Sequence, residues 1–378
     1  MRILISGDFC PRERVAVSIE RGDFATVLGE VKEITNNTDY AIVNLECPVV
    51  EHEAKPIDKC GPNLKCTSKA VEALRWAGFN CVTLANNHFL DFGETGVKDT
   101  LEACQSCGLD YVGGGNDINE ASQILYKEIK GKKLAIINCC EHEFSIATDN
   151  AGGSNPLNLV KQYYAIQEAR LKADHVLVII HGGVELFWLP SKRMIETYRF
   201  FIDAGADAVV NHHQHCYSGY EEYKGKPIFY GLGNFCFDWF PEDYRWTSGF
   251  MVNLLFEENH KVKFDIIPYR QCTEMPNVRI LYDKEKEDFF EKLNGYNAII
   301  ATDVQLEAEY FKWCNQKEGM YKLVLNPVNN RYIAWLFKSK IGGRIISKRK
   351  LLQIYDYLVN ESHIERVRIL MTNEINKR

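Results

Sequence analysis

The sequence has no run of about 18 uninterrupted apolar residues, the length that a transmembrane helix needs. Its first residues, MRILISGDFCPRER, also lack the apolar stretch and the small-residue cleavage site of a secretory signal. A strong excess of one charge is missing too. The net charge of -6 argues against a surface that binds nucleic acid. We therefore expect a soluble cytoplasmic protein with no nucleic-acid partner.

Closely paired cysteines are also scarce, although the chain has 13 cysteines. Cys104 and Cys107 form a single CxxC within a predicted helix, and Cys139 and Cys140 are adjacent. A zinc ribbon needs a second closely spaced pair, and we find no convincing one. Because reduced cysteine behaves as a small buried hydrophobe, we interpret these residues as core residues in a reducing cytoplasm.

Two segments rich in Asn and His are the most informative part of the chain. The first is Asn86-Asn87-His88-Phe89-Leu90-Asp91, and the second, later in the chain, is Asn211-His212-His213-Gln214-His215. Each follows a short apolar run that predicts a buried strand. Clustered histidines must each be neutral, hydrogen-bonded or bound to a metal. Since Asn, His and carboxylate groups are ligands of divalent metals, the two segments predict a metal site.

Predicted strands alternate with helical patterns through residues 1–270, which indicates an α/β fold. Polar residues follow these strands: Asp8, Glu46, Asn87, His181, His213 and His215. In open α/β sheets the ligand crevice lies beyond the carboxyl ends of the strands, so we expect one shared site. Residues 271–378 carry amphipathic helical patterns instead, and we predict a mainly helical C-terminal extension there.

A basic segment within this extension, residues 332–350, follows the aromatic run that includes Trp335 and Phe337. Two interpretations stay open. The segment is either a peripheral contact with an anionic membrane surface or a helix with one face on the core and one in solvent.

Several short motifs occur in a characteristic order. They are Gly7-Asp8-Phe9, Asn44-Leu45-Glu46, Ala85 to Gly93, His181 to Glu185, His212 to His215 and Gly233 to Asp238. In this order they resemble the CapA or poly-γ-glutamate capsule-synthesis family, a branch of the calcineurin-like metallophosphoesterases. The resemblance covers residues 1–270. It implies a four-layer αββα sandwich with a two-metal site at one edge.

The resemblance also implies a ligand set for two divalent metal ions, which would be Mn, Fe or Zn. Asp8 and His215 would hold one ion, and Glu46 would bridge both. The second ion would be held by Asn87, His181 and His213.

His88 cannot easily share a metal with its neighbour Asn87 if their side chains diverge. We therefore assign His88 as the general acid that protonates the leaving oxygen, and the resemblance implies the same role. From the spacing, we assign Asp91 to orient the His88 ring.

Other residues of these motifs are predicted to bind substrate or to support the ligands: Cys10, Asn44, Glu185, His212 and Asn234. For Asn44, Glu185 and His212 a purely structural role stays open. Cys10 stands where the wider superfamily has His, and Gly182 stands where capsule-type relatives commonly have Trp. These departures put the substrate, rather than the metal site, in question.

Two functions follow from these patterns. The first is a metal-dependent hydrolase linked to capsule or surface-polymer synthesis, acting on a phosphoester or on an amide of an anionic polymer such as poly-γ-glutamate. The alternative is a non-catalytic factor that binds or assembles such a polymer. Metal content and turnover distinguish the two.

Overall fold

A computed structural model describes residues 1–59, 61–257 and 260–324, with the isolated positions 354, 371 and 375. One compact unit comprises Met1–Glu307, and a second begins at Ala308. Within these described residues, no helix combines the length and the apolar character that crossing a membrane requires. Residues 332–350 lie outside the described part of the chain, so their contact with a membrane stays a prediction.

The described strands and helices alternate along most of the chain. The strands are β1 (Arg2–Phe9), β2 (Tyr40–Leu45), β3 (Cys81–Thr83), β4 (Asp110–Val112), β5 (Gly114–Gly115), β6 (Leu125–Ile129), β7 (Lys132–Cys140), β8 (Gly153–Ser154), β9 (His175–His181), β10 (Ala208–His212), β11 (Tyr220–Tyr223), β12 (Lys226–Phe229), β13 (Asn234–Cys236), β14 (Ser248–Phe256), β15 (Val262–Gln271) and β16 (Val278–Ile280). The helices are α1 (Glu13–Glu20), α2 (Phe24–Thr35), α3 (Ser68–Trp76), α4 (Gly93–Cys107), α5 (Ile118–Ala121), α6 (Leu159–Lys172), α7 (Lys192–Asp203), α8 (Tyr244–Thr247), α9 (Asp283–Ile300) and α10 (Asp303–Val324).

Two sheets form the centre of the fold. The larger has the order β16-β15-β14-β1-β2-β3-β4, with β13 paired to β1, and the smaller has the order β11-β12-β10-β9-β7-β6. Strands β1 to β4 are parallel, as are β7, β9, β10 and β12. Since parallel strands place their carboxyl ends at one edge, the loops after β1, β2, β9 and β10 can meet.

The apolar side chains of β1 show how the sheets pack. Ile3 and Ile5 enter the core between the two sheets, whereas Leu4 and Phe9 enter the core beneath α1 to α4. Helices α6 and α7 cover the outer face of the smaller sheet. The order is therefore helix, sheet, sheet, helix, which confirms the expected four-layer αββα sandwich.

The first compact unit continues past residue 270. Strand β16 pairs with β15, and Phe289 and Leu293 of α9 are buried in the core between the sheets. The segment after β16 is helical, as the amphipathic pattern predicts. The unit extends to Glu307, and β16 and α9 both bury apolar side chains in it.

Candidate metal centre

The predicted metal ligands lie together at the carboxyl ends of strands from both sheets. Asp8 is in register with Asn44 of β2 and with Asn234 of β13, and His212 is in register with His181. The side chains of the six predicted ligands are buried: Asp8, Glu46, Asn87, His181, His213 and His215. The site thus lies where the two sheets meet.

Asp8, Glu46 and His215 form one group of ligand atoms. The His215 Nε2 atom lies 3.7 Å from Glu46 Oε1, and its Nδ1 atom lies 3.9 Å from Asp8 Oδ2. The Nδ1–H group donates a hydrogen bond of 2.9 Å to Asn234 Oδ1. Because Asn234 holds Nδ1, the Nε2 lone pair of His215 is left facing Glu46.

A second group forms around the same glutamate. His181 Nε2 lies 3.5 Å from Glu46 Oε1 and 3.1 Å from Asn87 Oδ1. His213 Nδ1 lies 3.1 Å from His181 Nε2. Carboxylate, amide and imidazole atoms thus converge on one point, which is the donor set that a divalent metal takes. Glu46 belongs to both groups.

Glu46 shows most directly that the residues of this site fit a cation. The side chain is fully buried, and neither carboxylate oxygen has a hydrogen-bond partner among the described residues. Burial, and next the negative charge of Asp8, raise the pKa of Glu46 well above its ordinary value. A buried carboxylate beside another is stable only when positive charge or hydrogen bonds compensate it. A divalent ion bound beside Glu46 would supply that charge, so the residues present fit a divalent metal.

The histidines are suited to binding metal. Burial, and next the charge of His213, lower the pKa of His181 well below its ordinary value. His181 is therefore neutral near pH 7, the form that binds metals. Burial also lowers the pKa of His212, and neither of its ring nitrogens has a partner in the described structure. His212 lies in β10 outside both ligand groups.

The backbone is held in unusual conformations at this site. His213 and His215 have φ of 90° and 56°, which costs about 1–3 kcal/mol each for residues other than glycine. The Gln214 side chain holds the loop by donating to Phe187 O at 2.7 Å and Leu189 O at 3.2 Å. The strained backbone turns both histidine rings toward Glu46.

Gly7 lets the backbone at Asp8 pack closely against Gly233. A Cβ atom at Gly7 would lie 1.9 Å from the carbonyl oxygen of Gly233, an impossible contact with rigid backbone. Without it, Asp8 N donates to the same Gly233 oxygen at 3.3 Å. The first motif therefore needs glycine for close packing of β1 against the loop before β13.

His88 and Asp91 form the predicted pair beside the ligands. His88 Nδ1–H donates to Asp91 Oδ2 at 2.7 Å, and His88 N donates to Asn86 Oδ1 at 3.0 Å. Burial lowers the pKa of His88, whereas the bond to Asp91 acts in the opposite direction. With Nδ1 held by Asp91, Nε2 is the ring nitrogen left for proton transfer.

The residues predicted to support the site have different surroundings. Asn44 Nδ2 donates to Asp8 Oδ1 at 2.7 Å and lies 3.3 Å from His181 Nδ1, so it holds two ligands in place. Asn234 holds His215, as described above. Cys10 is buried against Cys47 and belongs to neither ligand group. Glu185 is exposed, and its negative charge helps to raise the pKa of Glu46.

Sequence reasoning missed several residues at the site. Glu143 Oε1 lies 3.4 Å from His213 Nε2, opposite the nitrogen that faces His181. The Trp246 ring lies 4.8 Å from that of His215. Lys59 contacts both His88 and Asp91. Glu143 closely follows β7, so the rule that identified Asp8 could have found it. Lys59 lies in a long loop and has no such signal.

A second cluster lies at the opposite end of the smaller sheet. His175, Asp207 and His260 have ligand atoms close together. Asp207 is already held by Arg170 Nη1 at 2.6 Å and Lys226 Nζ at 3.0 Å. These two positive charges disfavour binding of a cation. We therefore interpret the cluster as a structural contact at the amino ends of β9 and β10.

Replacing Glu46 with glutamine should stabilise the metal-free protein and weaken metal binding. A raised pKa means that the folded state binds a proton more tightly than the unfolded state. The stability that protonated Glu46 contributes is therefore complete below its ordinary pKa of 4.5. It is lost as the pH rises through the raised pKa of the folded state. We expect Glu46→Gln to increase the free energy of unfolding by about 1–3 kcal/mol at pH 8.

Urea unfolding in the presence of a chelator, at pH 4 and pH 8, measures the difference in free energy of unfolding between Glu46→Gln and the wild type. This difference should be small at pH 4 and should grow toward pH 8. Glu102→Gln is the matched control, because that side chain is 55% exposed on α4. A Glu46→Gln effect that shrinks as pH rises would contradict the interpretation of Glu46 as an uncompensated carboxylate.

Comparison with known proteins places this chain in a family. The chain is 31% identical to the capsule biosynthesis protein CapA of Bacillus anthracis over 324 residues, covering 78% of each protein. It is also 31% identical to the PGA biosynthesis protein CapA of Bacillus subtilis (strain 168) over 269 residues, covering 69% of each. A solved structure of a novel phosphatase from Mycoplasma pneumoniae aligns with a TM-score of 0.46 and 18% identity, covering 77% of this chain and 98% of that one. The model of the family described as bacterial capsule synthesis protein PGA_cap matches residues 2–239. The order of the motifs, the two Bacillus relatives and the family match together show that the chain belongs to the bacterial capsule synthesis protein family, PGA_cap.

Proposed function

We propose that this protein is a metal-dependent hydrolase of the calcineurin-like phosphoesterase class, with two divalent ions in its site. The observation that carries the proposal is the sharing of Glu46 between two ligand groups, with both of its oxygens buried and without partners in the described chain. One ion would be held by Asp8 and His215, and the other by Asn87, His181 and His213. Glu46 would bridge them.

The bound ions would activate water and stabilise negative charge on the attacking and leaving oxygens. The protein's own residues hold that site rigid. Asn44 fixes Asp8, Asn234 fixes His215, and Glu143 faces the outer nitrogen of His213. Ligands held in this way need little reorganisation when substrate binds.

His88 supplies the proton in the proposed reaction. Its Nδ1 atom is held by Asp91, so Nε2 is the nitrogen that protonates the leaving oxygen. The ring is buried beside the metal ligands but belongs to neither ligand group. This separation of roles supports His88 as an acid rather than a ligand.

The proposed substrate is anionic. Divalent ions bind phosphate or carboxylate oxygens directly, and the names of the Bacillus relatives connect them with capsule or PGA biosynthesis. We therefore propose a phosphoester or a γ-glutamyl amide of a surface polymer as the substrate class.

Metal analysis together with a substrate panel tests the proposal. Protein reconstituted separately with manganese, iron and zinc should hold about two ions per chain and should hydrolyse phosphomonoesters, phosphodiesters or γ-glutamyl peptides. A protein that is fully loaded with metal but inactive on the whole panel would contradict the hydrolase. Stoichiometric binding of poly-γ-glutamate by that inactive protein would indicate the non-catalytic polymer-binding alternative.

A further inference from the structure

Lys59 is a buried lysine at the proposed proton donor. Its side chain is only 2% exposed, and that of Asp91 is fully buried. Lys59 Nζ donates to Asp91 Oδ1, while the other oxygen of Asp91 accepts from His88 Nδ1 at 2.7 Å. The same ammonium group lies 3.1 Å from His88 Nδ1. Asp91 thus connects a lysine and a histidine.

The loop that carries Lys59 is organised around Asp91. This 50–66 loop, which is described except at residue 60, is closed by a bridge between Cys66 and Val49, the residue just before the loop. Leu64 N donates to Asp91 Oδ2 at 2.6 Å, and Ile57 N donates to the Asp91 carbonyl at 2.9 Å. The loop therefore contacts Asp91 through side chain and backbone on both sides of Lys59.

Charge explains why these contacts depend on one another. A buried ammonium group is stable only with a compensating anion, and a buried carboxylate needs a cation or several hydrogen bonds. Lys59 and Asp91 satisfy this requirement for each other. Without Lys59, Asp91 would keep its bonds from Leu64 and His88 but would lose its only compensating lysine or arginine among the described residues.

We propose that Lys59 is a positioning residue, which fixes the carboxylate of Asp91 and through it the orientation of the His88 ring. The kinetic part of this inference rests on the proposed hydrolase function. Lys59 lies on the Nδ1 side of the ring, whereas Nε2 is the nitrogen proposed to transfer the proton. Its effect on the reaction is therefore exerted through Asp91 and the ring.

Substrates that differ in leaving group test this role. We expect Lys59→Met to lower kcat on an alkyl phosphoester by about 10- to 100-fold with little change in KM or metal content. The loss on a p-nitrophenyl ester should be smaller, because nitrophenolate leaves without a proton. Lys59→Arg should restore most of the turnover, since a guanidinium group can also pair with Asp91. Equal losses on both esters, or a loss of metal, would overturn the proposal.

A variant without an unpaired buried charge separates positioning from folding. In Lys59→Met/Asp91→Asn no charge is left without its partner, and its kcat should be no lower than that of Asp91→Asn alone. A further drop in the double variant would show that Lys59 acts independently of Asp91 and would overturn the proposal. Lys65→Met is the control within the same loop, because Lys65 is exposed and faces the Phe92 ring.

A spectroscopic measurement tests Lys59 even if the protein proves inactive. The ring nitrogens of His88 in ¹⁵N-histidine-labelled protein can be assigned by their loss in His88→Gln. We expect Lys59→Met to shift these resonances and Lys65→Met to leave them in place. Unchanged His88 resonances in Lys59→Met would overturn the positioning role, whereas an inactive wild type with shifted resonances would contradict only the hydrolase function.

Discussion

Replacing Asp8 and His213 together with alanine should remove bound metal and reduce hydrolysis to the background rate. Each ligand group loses one member, because Asp8 belongs to the first and His213 to the second. The first group is then left with Glu46 and His215, and the second with Glu46, His181 and Asn87, so both should bind a divalent ion much less tightly. Elemental analysis and the substrate panel should show the two losses together.

The fold of this double variant should survive. Removing Asp8 leaves less negative charge around the buried Glu46, since Asp8 contributes to the raised pKa of that group. Asp288→Ala is a suitable control, because this carboxylate is 53% exposed on α9. Metal retained at the wild-type level in a folded double variant would show that the ions bind elsewhere.

Replacing His88 with alanine should greatly lower turnover while metal stays bound. His88 lies beside the ligands, but its Nδ1 atom is held by Asp91. General acid catalysis typically contributes about 100- to 10,000-fold, so we expect kcat to fall by that factor on substrates with poor leaving groups. Metal content and the circular dichroism spectrum should match those of the wild type.

The control for His88 is a histidine far from the site. His260→Ala removes an exposed ring near Arg170, beside the amino ends of β9 and β10, and should leave turnover unchanged. Loss of metal from His88→Ala would assign His88 as a ligand and would require another proton donor.

Much of the site could be predicted from the sequence because the ligands follow strands. Asp8, Glu46 and His181 each come at or just after the end of an apolar run, and parallel strands bring such positions to one edge. The order of the motifs also indicated the family, which the matched relatives confirm. Their detailed roles stay proposals until metal and activity are measured.

The sequence did not predict strands β14 and β15, which form the antiparallel part of the larger sheet, or their pairing. Strand β14 is buried along most of its length on both faces, so its sequence has no polar alternation. Its pairing with β1, and that of β15 with β14, depends on contacts between distant parts of the chain. Local pattern contains no information about these partners.

The sequence by itself determined which chemistry is available, since the carboxylates, amides and imidazoles occur in a recognisable order after buried strands. Only the tertiary structure decided which of them share Glu46 and which side chains support them. Glu143 reaches His213 from the loop after β7, and Lys59 reaches Asp91 from the 50–66 loop. The physical reason is that a buried charge selects its partner by distance in the folded chain, and loop positions far apart in sequence become neighbours only when the sheets pack.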